Sequence, residues 1–171
     1  MNRKKWIAPV PMPHRQFDWQ ERIKAVEREY LSARIAVKRL SAEVVRAPSV
    51  LGDGPRPRDL KSADENLEGT YLIRMFAEFE TGVRSYWRTI KPRAHTQAEA
   101  LLNRVGDKCG IPADVIHAAH KAREYRNNLM HDRQEEVEVV TVSEARRCFA
   151  TYFARLPNSV GRLKNTQYSD S

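Results

Sequence analysis

Apolar residues recur at helical spacing along most of the chain. Between residues 18 and 44 they alternate by three and four positions without a break, which is typical of one helical stripe that packs on a partner helix. The stripe consists of Ile23, Val26, Tyr30, Ala33, Val37, Leu40 and Val44. Asp18 is predicted to cap this helix. The helix ends at APSVLGDGPRPRD, whose prolines and glycines predict a loop over residues 47–61.

The same spacing predicts a second long helix from about Ser62 to Ile90, which Pro92 ends. Its apolar arc contains Leu72, Met75, Phe76, Phe79, Val83, Tyr86, Trp87 and Ile90. Thr96 and Glu99 form a T-x-x-E pattern, which predicts a capping box for a third helix that closes near residues 106–110.

A fourth helix is predicted to follow Pro112 and to run to about His131. The run VEVVTV, residues 137–142, is β-prone but too short to form a sheet alone. Ser143 and Glu144 are predicted to open a last helix. Its apolar positions are Ala145, Cys148, Phe149, Tyr152, Phe153 and Leu156.

These elements predict an all-α fold, a four- to five-helix bundle that forms a single domain over residues 18–156. Residues 1–17 contain three prolines and scattered basic residues, so we interpret them as an extended N-terminal arm. Residues 157–171 are interpreted as a polar tail. The pattern shows no internal repeat and no glycine-rich phosphate loop.

The charge balance gives the first indication of a partner. Thirty Lys and Arg against 22 Asp and Glu give a net charge of +8 and a pI near 9.7. Such a surface favours polyanions, although it is equally compatible with simple solubility. Cys109 and Cys148 form no C-x-x-C pair, and no secretory signal or membrane-spanning run is visible. We therefore expect a cytoplasmic protein with no membrane partner.

The most unusual stretch is REYRNNLMHDR, in the fourth helix. At about 100° per residue, two stripes lie roughly 150° apart on this helix. The predicted core stripe is Val115, Ala118, Ala122, Tyr125 and Leu129, and the polar stripe is His117, His120, Glu124, Asn127 and His131. Arg126 lies on the shoulder, roughly 140° from His131, so the two side chains diverge within one straight helix. A site that uses both needs a distorted helix end, long side chains or a second subunit.

Glu80 lies beside the apolar arc of the second helix, whereas Glu78 is predicted to point towards solvent. A carboxylate at the edge of a core usually has a partner, and Arg126 is a candidate for this partner. A structural ion pair and a catalytic role are both open for Glu80.

The arrangement Arg126-Asn127-x-x-x-His131 near the end of a late helix resembles the signature of the HEPN superfamily, an Arg followed after four to six residues by His. The segment YLIRMFAEFETGVRSYW is similar to the helix that many of these domains place beside the motif helix, with Glu80 at its acidic position. The resemblance covers about residues 18–156. In one subgroup, whose toxins are silenced by nucleotidyltransferase antitoxins, a Tyr stands two residues after the His, whereas here Arg133 occupies that position.

The resemblance implies a metal-independent endoribonuclease that acts as a homodimer, with both motifs lining one cleft. It also implies a hydrolase role in toxin–antitoxin or antiviral defence systems, with an antitoxin or regulatory protein as a possible partner. His131 is then the general base or acid, Arg126 the phosphate clamp, and Asn127 and Glu80 orienting groups. His120, Arg123, Arg84 and Arg88 are expected to contact RNA, and no cofactor or metal is expected.

Two alternatives remain. A metal site on the polar stripe is disfavoured, because His117 and His131 are about 21 Å apart along a straight helix. The stronger alternative is a catalytically inactive HEPN-like helical module that binds nucleic acid or a partner protein. In that case basic residues on the first two helices track phosphates. These residues are Arg34, Lys38, Arg39, Arg84, Arg88, Lys91 and Arg93.

Overall fold

The computed structural model describes residues 16–92, 96–131 and 136–157. Within these ranges the protein has five α-helices, one short 3-10 helix and no strand, which confirms the all-α class. The helices are α1 (Gln16–Arg46), the 3-10 helix (Pro48–Leu51), α2 (Pro57–Ile90), α3 (Ala98–Cys109), α4 (Ala113–His131) and α5 (Val142–Ala154). The predicted arm and tail lie almost wholly outside the described residues.

The first two helices are longer than the sequence predicted. Asp18 lies in the first turn of α1 rather than before it, and α2 begins at Pro57 instead of Ser62. Proline is tolerated there because the backbone N–H groups in the first turn of a helix have no acceptor within the helix. The N–H that proline lacks is therefore not missed. The carboxylate of Asp59 accepts a hydrogen bond from the backbone N–H of Arg56 at 2.9 Å, which stabilises the earlier start. The predicted loop over 47–61 is therefore shorter.

The core lies where α1, α2 and α5 meet, and aromatic rings fill its centre. Phe79 of α2 stacks on Phe149 of α5 with ring centroids 4.1 Å apart and an interplanar angle of 6°. Trp19 of α1 reaches the same layer and stacks on Phe153 at 6.3 Å. The predicted apolar positions of α5 are all buried except Cys148, which is partly exposed.

The second half of α1 and the first half of α2 extend beyond this core as a helical hairpin. Ile23, Val26 and Tyr30 are buried, whereas further along the predicted stripe Ala33, Val37 and Leu40 are only partly covered. The reason is that α5 packs on the first half of α1, through contacts such as Gln20 to the Ala150 carbonyl. Among the described residues beyond that region, α2 and the 3-10 helix are the elements that cover α1.

The capping box predicted for α3 is wrong. The hydroxyl of Thr96 is buried and caps nothing, and the helix begins at Ala98 after Gln97. The backbone carbonyl of Thr96 instead accepts a hydrogen bond from Arg84 at 2.6 Å. The predicted end is confirmed, because Gly110 closes α3 in the left-handed conformation with φ of 61°.

Residues 136–141 precede α5 without regular structure, so VEVVTV forms no strand in the described chain. The hydroxyl of Thr141 accepts a hydrogen bond from the Glu144 N–H at 3.2 Å, and the Glu144 carboxylate accepts one from the Thr141 N–H at 2.9 Å. This capping box starts α5 at Val142, one residue earlier than predicted. Within the described ranges, none of the helices is long and apolar enough to cross a membrane.

The buried face of α4 is rotated from the predicted one. Ala119 and Ala122 are fully buried, whereas Ala118 is only partly covered. Leu129, which was expected in the core, is 39% exposed and lies against Gly69 of α2. This rotation places Arg126 against α2, where it forms the candidate site.

Candidate functional site

Glu80 of α2 holds two arginines from different parts of the chain. One carboxylate oxygen accepts hydrogen bonds from Nε and Nη2 of Arg84 at 2.9 and 2.6 Å. The other accepts a hydrogen bond from Nη2 of Arg126 on α4 at 3.2 Å. We call Glu80, Arg84, Arg126 and Asn127 the Glu80 cluster. It joins α2 to α4, and the pairing of Glu80 with Arg126 that their positions suggested is present.

The Arg126 side chain is held on three sides. Its guanidinium carbon lies 4.7 Å from the ring centroid of Phe76, within the range of a cation–π contact. Its Nη1 donates to Asn127 Oδ1 at 3.0 Å and to Met130 Sδ at 3.7 Å. A guanidinium has five N–H donors. With Glu80 included, three hydrogen bonds from Arg126 are made within the described chain, and its side chain is 20% exposed.

Asn127 and His131 lie one helical turn apart on α4, but only Asn127 belongs to the Glu80 cluster. The carbonyl oxygen of Asn127 faces Arg126, which leaves its NH₂ group available. His131 is the last residue of α4 and is exposed. No hydrogen bond or ion pair joins His131 to Arg126 within the described residues, as the divergence of their directions on the helix requires.

The basic residues expected to contact RNA lie at three separate places. Arg84 is occupied by Glu80 and the Thr96 carbonyl, whereas Arg88 is exposed in the last turn of α2. Arg123 lies against α3, with Nη2 3.3 Å from carboxylate oxygens of both Glu99 and Glu124. Only Arg88 among these arginines has no ion-pair partner in the described part of the chain.

His120 is also directed at α3 rather than at the Glu80 cluster. Its Nε2 is 2.8 Å from the side-chain oxygen of Asn103. Burial lowers the pKa of His120 below its usual value, and the positive charge of Arg123 lowers it further. The neutral imidazole is therefore favoured, and this histidine is poorly suited to hold a phosphate by charge.

Asn128 was missed by the sequence reasoning. Its side-chain oxygen is buried and has no hydrogen-bond partner among the described residues, although it directly follows the Arg126-Asn127 pair. A buried acceptor without a donor is costly and rare in proteins. The doubled asparagine of RNNLMH was the available signal, because two adjacent amides on a helix cannot both face the same side.

Glu78 also differs from its prediction. It does not point into open solvent but pairs with Arg22 of α1 at 3.1 Å and is partly buried. The two carboxylates of AEFE thus have distinct roles, since Glu78 joins α2 to α1 and Glu80 joins α2 to α4.

The excess of positive charge is concentrated at the start of the chain. Residues 1–15 contain Arg3, Lys4, Lys5 and Arg15 and no acidic residue, so they contribute half of the net +8. The described helices carry mixed charge, and several of their arginines pair with carboxylates.

No group of three or more His, Cys, Asp or Glu side chains in the described ranges is arranged to hold a metal ion. Cys109 and Cys148 are free thiols. No protein-family model, curated protein or solved structure matches this chain. The structure establishes a helical bundle with an arginine–carboxylate cluster between α2 and α4 and an exposed histidine at the end of α4.

Proposed function

We propose that this protein is a metal-independent endoribonuclease of the HEPN type that cleaves RNA at a cleft between two copies of the chain. One observation carries the proposal. Arg126 is fixed by Glu80 and Phe76 and stays partly exposed. It lies beside Asn127, which is one helical turn before His131. A guanidinium held in this way is preorganised to bind a phosphate.

The residue types suit cleavage of RNA without a metal. The 2′-hydroxyl of the ribose is the nucleophile, so the protein must remove its proton, protonate the leaving 5′-oxygen and stabilise the extra charge on the phosphorane. Histidine transfers protons near neutral pH, which assigns His131 as general base or acid. Arg126 and the NH₂ group of Asn127 donate to the non-bridging phosphate oxygens. Glu80 orients Arg126 and does not touch the substrate.

A second subunit supplies what one copy lacks. His131 and Arg126 of one copy point in different directions, so one phosphate is not gripped by both. A two-fold axis near the end of α4 brings the His131 of each copy towards the Arg126 of the other. The role in defence, as a toxin restrained by an antitoxin or regulatory protein, belongs to the same proposal and rests on the resemblance alone.

A second candidate function is a helical module that binds nucleic acid or a protein without cleavage. The observation that favours it is the occupancy of the arginines. Arg84 and Arg123 have carboxylate partners, and Arg126 spends three of its donors within the chain. In this case the Glu80 cluster only fixes the packing of α2 against α4.

The test is cleavage of labelled single-stranded and structured RNAs in EDTA by the purified full chain. We expect cleavage by the parent and a loss of about 100-fold or more in rate for His131→Ala, which removes a proton-transfer group. His117→Ala is the matched control, because His117 is exposed on the same helix. It is expected to cleave at the parental rate.

Each outcome separates the two functions. Cleavage that survives EDTA, is lost in His131→Ala and is kept in His117→Ala supports the ribonuclease. Intact RNA with the parent, together with salt-dependent RNA binding, supports the binding module. Equal cleavage by parent and His131→Ala contradicts the assignment of His131. Sedimentation of the parent as a monomer at the assay concentration contradicts the shared cleft.

A further inference from the structure

A second stripe, different from the one that forms the core, runs along the outer side of α1. It consists of Leu31, Ile35, Lys38, Ala42 and Val45, and all five residues are exposed. Their spacing is four, three, four and three residues, so they fall within an arc of about 80°. The stripe is about 21 Å long, or four helical turns. We call it the outer stripe.

The outer stripe faces away from everything that packs on α1 in the described chain. The covered side of this half of the helix, which includes Tyr30, Val37 and Val44, is directed at α2 and lies roughly 120° around the axis. Leu31 and Ile35 remain 47% and 53% exposed. Single exposed aliphatic residues are common, but four apolar positions in helical register are typical of a helix–helix contact.

The charges around the outer stripe are almost all positive. Residues 31–46 contain four basic side chains and one acidic side chain. Lys38 lies at the centre of the stripe, with Arg34 and Arg39 on its two edges. None of the three has an ion-pair partner within the described residues, whereas six arginines of the described helices are paired with carboxylates in these contacts. Because these three positive charges have no counter-charge in the described chain, a partner that binds here is expected to be acidic.

A second copy of the chain does not fit this surface. Pairing two outer stripes about their centre, parallel or antiparallel, places Lys38 against Lys38 in a contact from which water is excluded. Like charges in such a position disfavour association. The terminal segments of the same chain do not fit either, because residues 1–15 are basic and residues 158–171 contain one acidic residue, Asp170.

Nucleic acid complements only the basic residues of this surface and not its aliphatic ones. Phosphates can pair with Lys38, Arg34 and Arg39, but an RNA backbone offers nothing to cover Leu31 and Ile35. The outer stripe also has no aromatic side chain on which a base can stack. An amphipathic helix covers the aliphatic residues and neutralises the lysine at once.

We infer that the outer stripe of α1 is a docking surface for an acidic amphipathic helix of another protein. The partner helix carries apolar residues at three- and four-residue spacing, an Asp or Glu opposite Lys38 and further acidic residues along its edges. This is recognition of a helix by an apolar seam, with one buried charge pair that sets the register. The surface is separate from the Glu80 cluster, and the inference does not depend on cleavage of RNA.

The test uses the full chain and two synthetic helical peptides of about 21 residues, enough to span the stripe. Both have leucine at the seam positions and glutamate at the edges. They differ only at the central seam position, which is glutamate in one and lysine in the other. Fluorescence anisotropy of labelled peptide gives the dissociation constants. We expect the glutamate peptide to bind about tenfold more tightly or better, because the lysine peptide leaves two positive charges in contact.

Variants of the protein locate the site. Lys38→Glu is expected to reverse the preference between the two peptides. Ile35→Gln is expected to weaken the glutamate peptide about tenfold, since it removes part of the seam. Lys61 is another exposed lysine, on α2, so Lys61→Glu is the control and is expected to leave both constants unchanged. Circular dichroism checks that each variant is folded, and the comparison of the two peptides on the parent needs no variant.

Three results overturn the inference. The first is equal binding of both peptides by the parent, or a preference that Lys38→Glu leaves unchanged. The second is tight binding of an oligouridylate of about 20 nucleotides that Lys38→Glu abolishes and Ile35→Gln does not, which assigns the surface to RNA. The third is a homodimer that Ile35→Gln dissociates in sedimentation, which assigns the surface to self-association.

Discussion

The ion pair between Glu80 and Arg126 yields a prediction that can be worked out from the geometry. The perturbations are Glu80→Gln, Arg126→Met and the double variant. Glu80→Gln keeps the length of the side chain, Arg126→Met keeps an unbranched but shorter one, and both remove the charge. Glu80→Gln has the larger effect, because it leaves the guanidinium groups of Arg84 and Arg126 beside each other without the carboxylate that separates them.

The magnitude follows from separation and exposure. Two unit charges about 4 Å apart interact by about 4 kcal/mol at an effective dielectric constant near 20. The Glu80 and Arg126 side chains are 21% and 20% exposed, so desolvation and residual water reduce this value. For the free energy of unfolding we expect a coupling between the two residues of about 1–2 kcal/mol. Glu80→Gln alone is expected to cost about 2–3 kcal/mol, since it also frees Arg84.

The assay is urea unfolding followed by circular dichroism, with all four proteins at one concentration so that self-association contributes equally. The matched control is Glu65→Gln on α2. Glu65 pairs with Lys61 at 3.7 Å, but these side chains are 61% and 79% exposed. An exposed pair of this kind contributes less than about 0.5 kcal/mol.

A coupling below about 0.5 kcal/mol, no larger than that of an exposed pair, refutes the reasoning. Glu80 then does not hold Arg126 in solution, and the preorganised guanidinium on which the proposed ribonuclease depends is lost. A coupling in the expected range combined with unimpaired RNA cleavage by Glu80→Gln limits Glu80 to a structural role.

Three further predictions follow from packing and ionisation. Gly82→Ala places a Cβ atom 2.6 Å from Phe153, so we expect a loss of about 1–3 kcal/mol in chemical denaturation. Gly69→Ala is the control, because the nearest atoms to its added Cβ are 3.4 Å away, and it is expected to leave the stability unchanged or to raise it. Equal losses of stability in the two variants contradict the close contact of Gly82 with Phe153. The pKa of His120 is lower in the folded protein, so the unfolded chain binds more protons, and stability falls as the pH drops below about 6.5. In thermal unfolding at several pH values, His120→Gln is expected to reduce this dependence of stability on pH. An unchanged pH dependence in the variant means that other groups cause it. Burial raises the pKa of Cys148 to about 12, so in Cys109→Ser protein its alkylation at pH 8 is expected to be slow until urea is added. Rapid alkylation of the native variant, followed by mass spectrometry, contradicts this burial.

The sequence by itself determined the helices and the class of fold. Apolar spacing predicted α1, α2, α4 and α5 to within a few residues, because a periodic stripe must be buried wherever the helix packs. The end of α3 within residues 106–110 was predicted correctly, since a glycine in the left-handed conformation is a local requirement, which Gly110 meets. The edge position of Glu80 was visible in the same way, because the angle between residues on one helix depends only on their spacing.

Only the tertiary structure decided which faces have neighbours. Thr96 matched a capping pattern, yet its hydroxyl is buried, because Arg84 binds its carbonyl from another helix. Leu129 matched the core stripe but is exposed, since α4 is rotated towards Ala119. Spacing along a helix shows which side chains share a face, and it cannot show what covers that face. For this reason the Glu80 cluster was in part predictable, whereas the exposed outer stripe of α1 appeared only when α2 and α5 were in place.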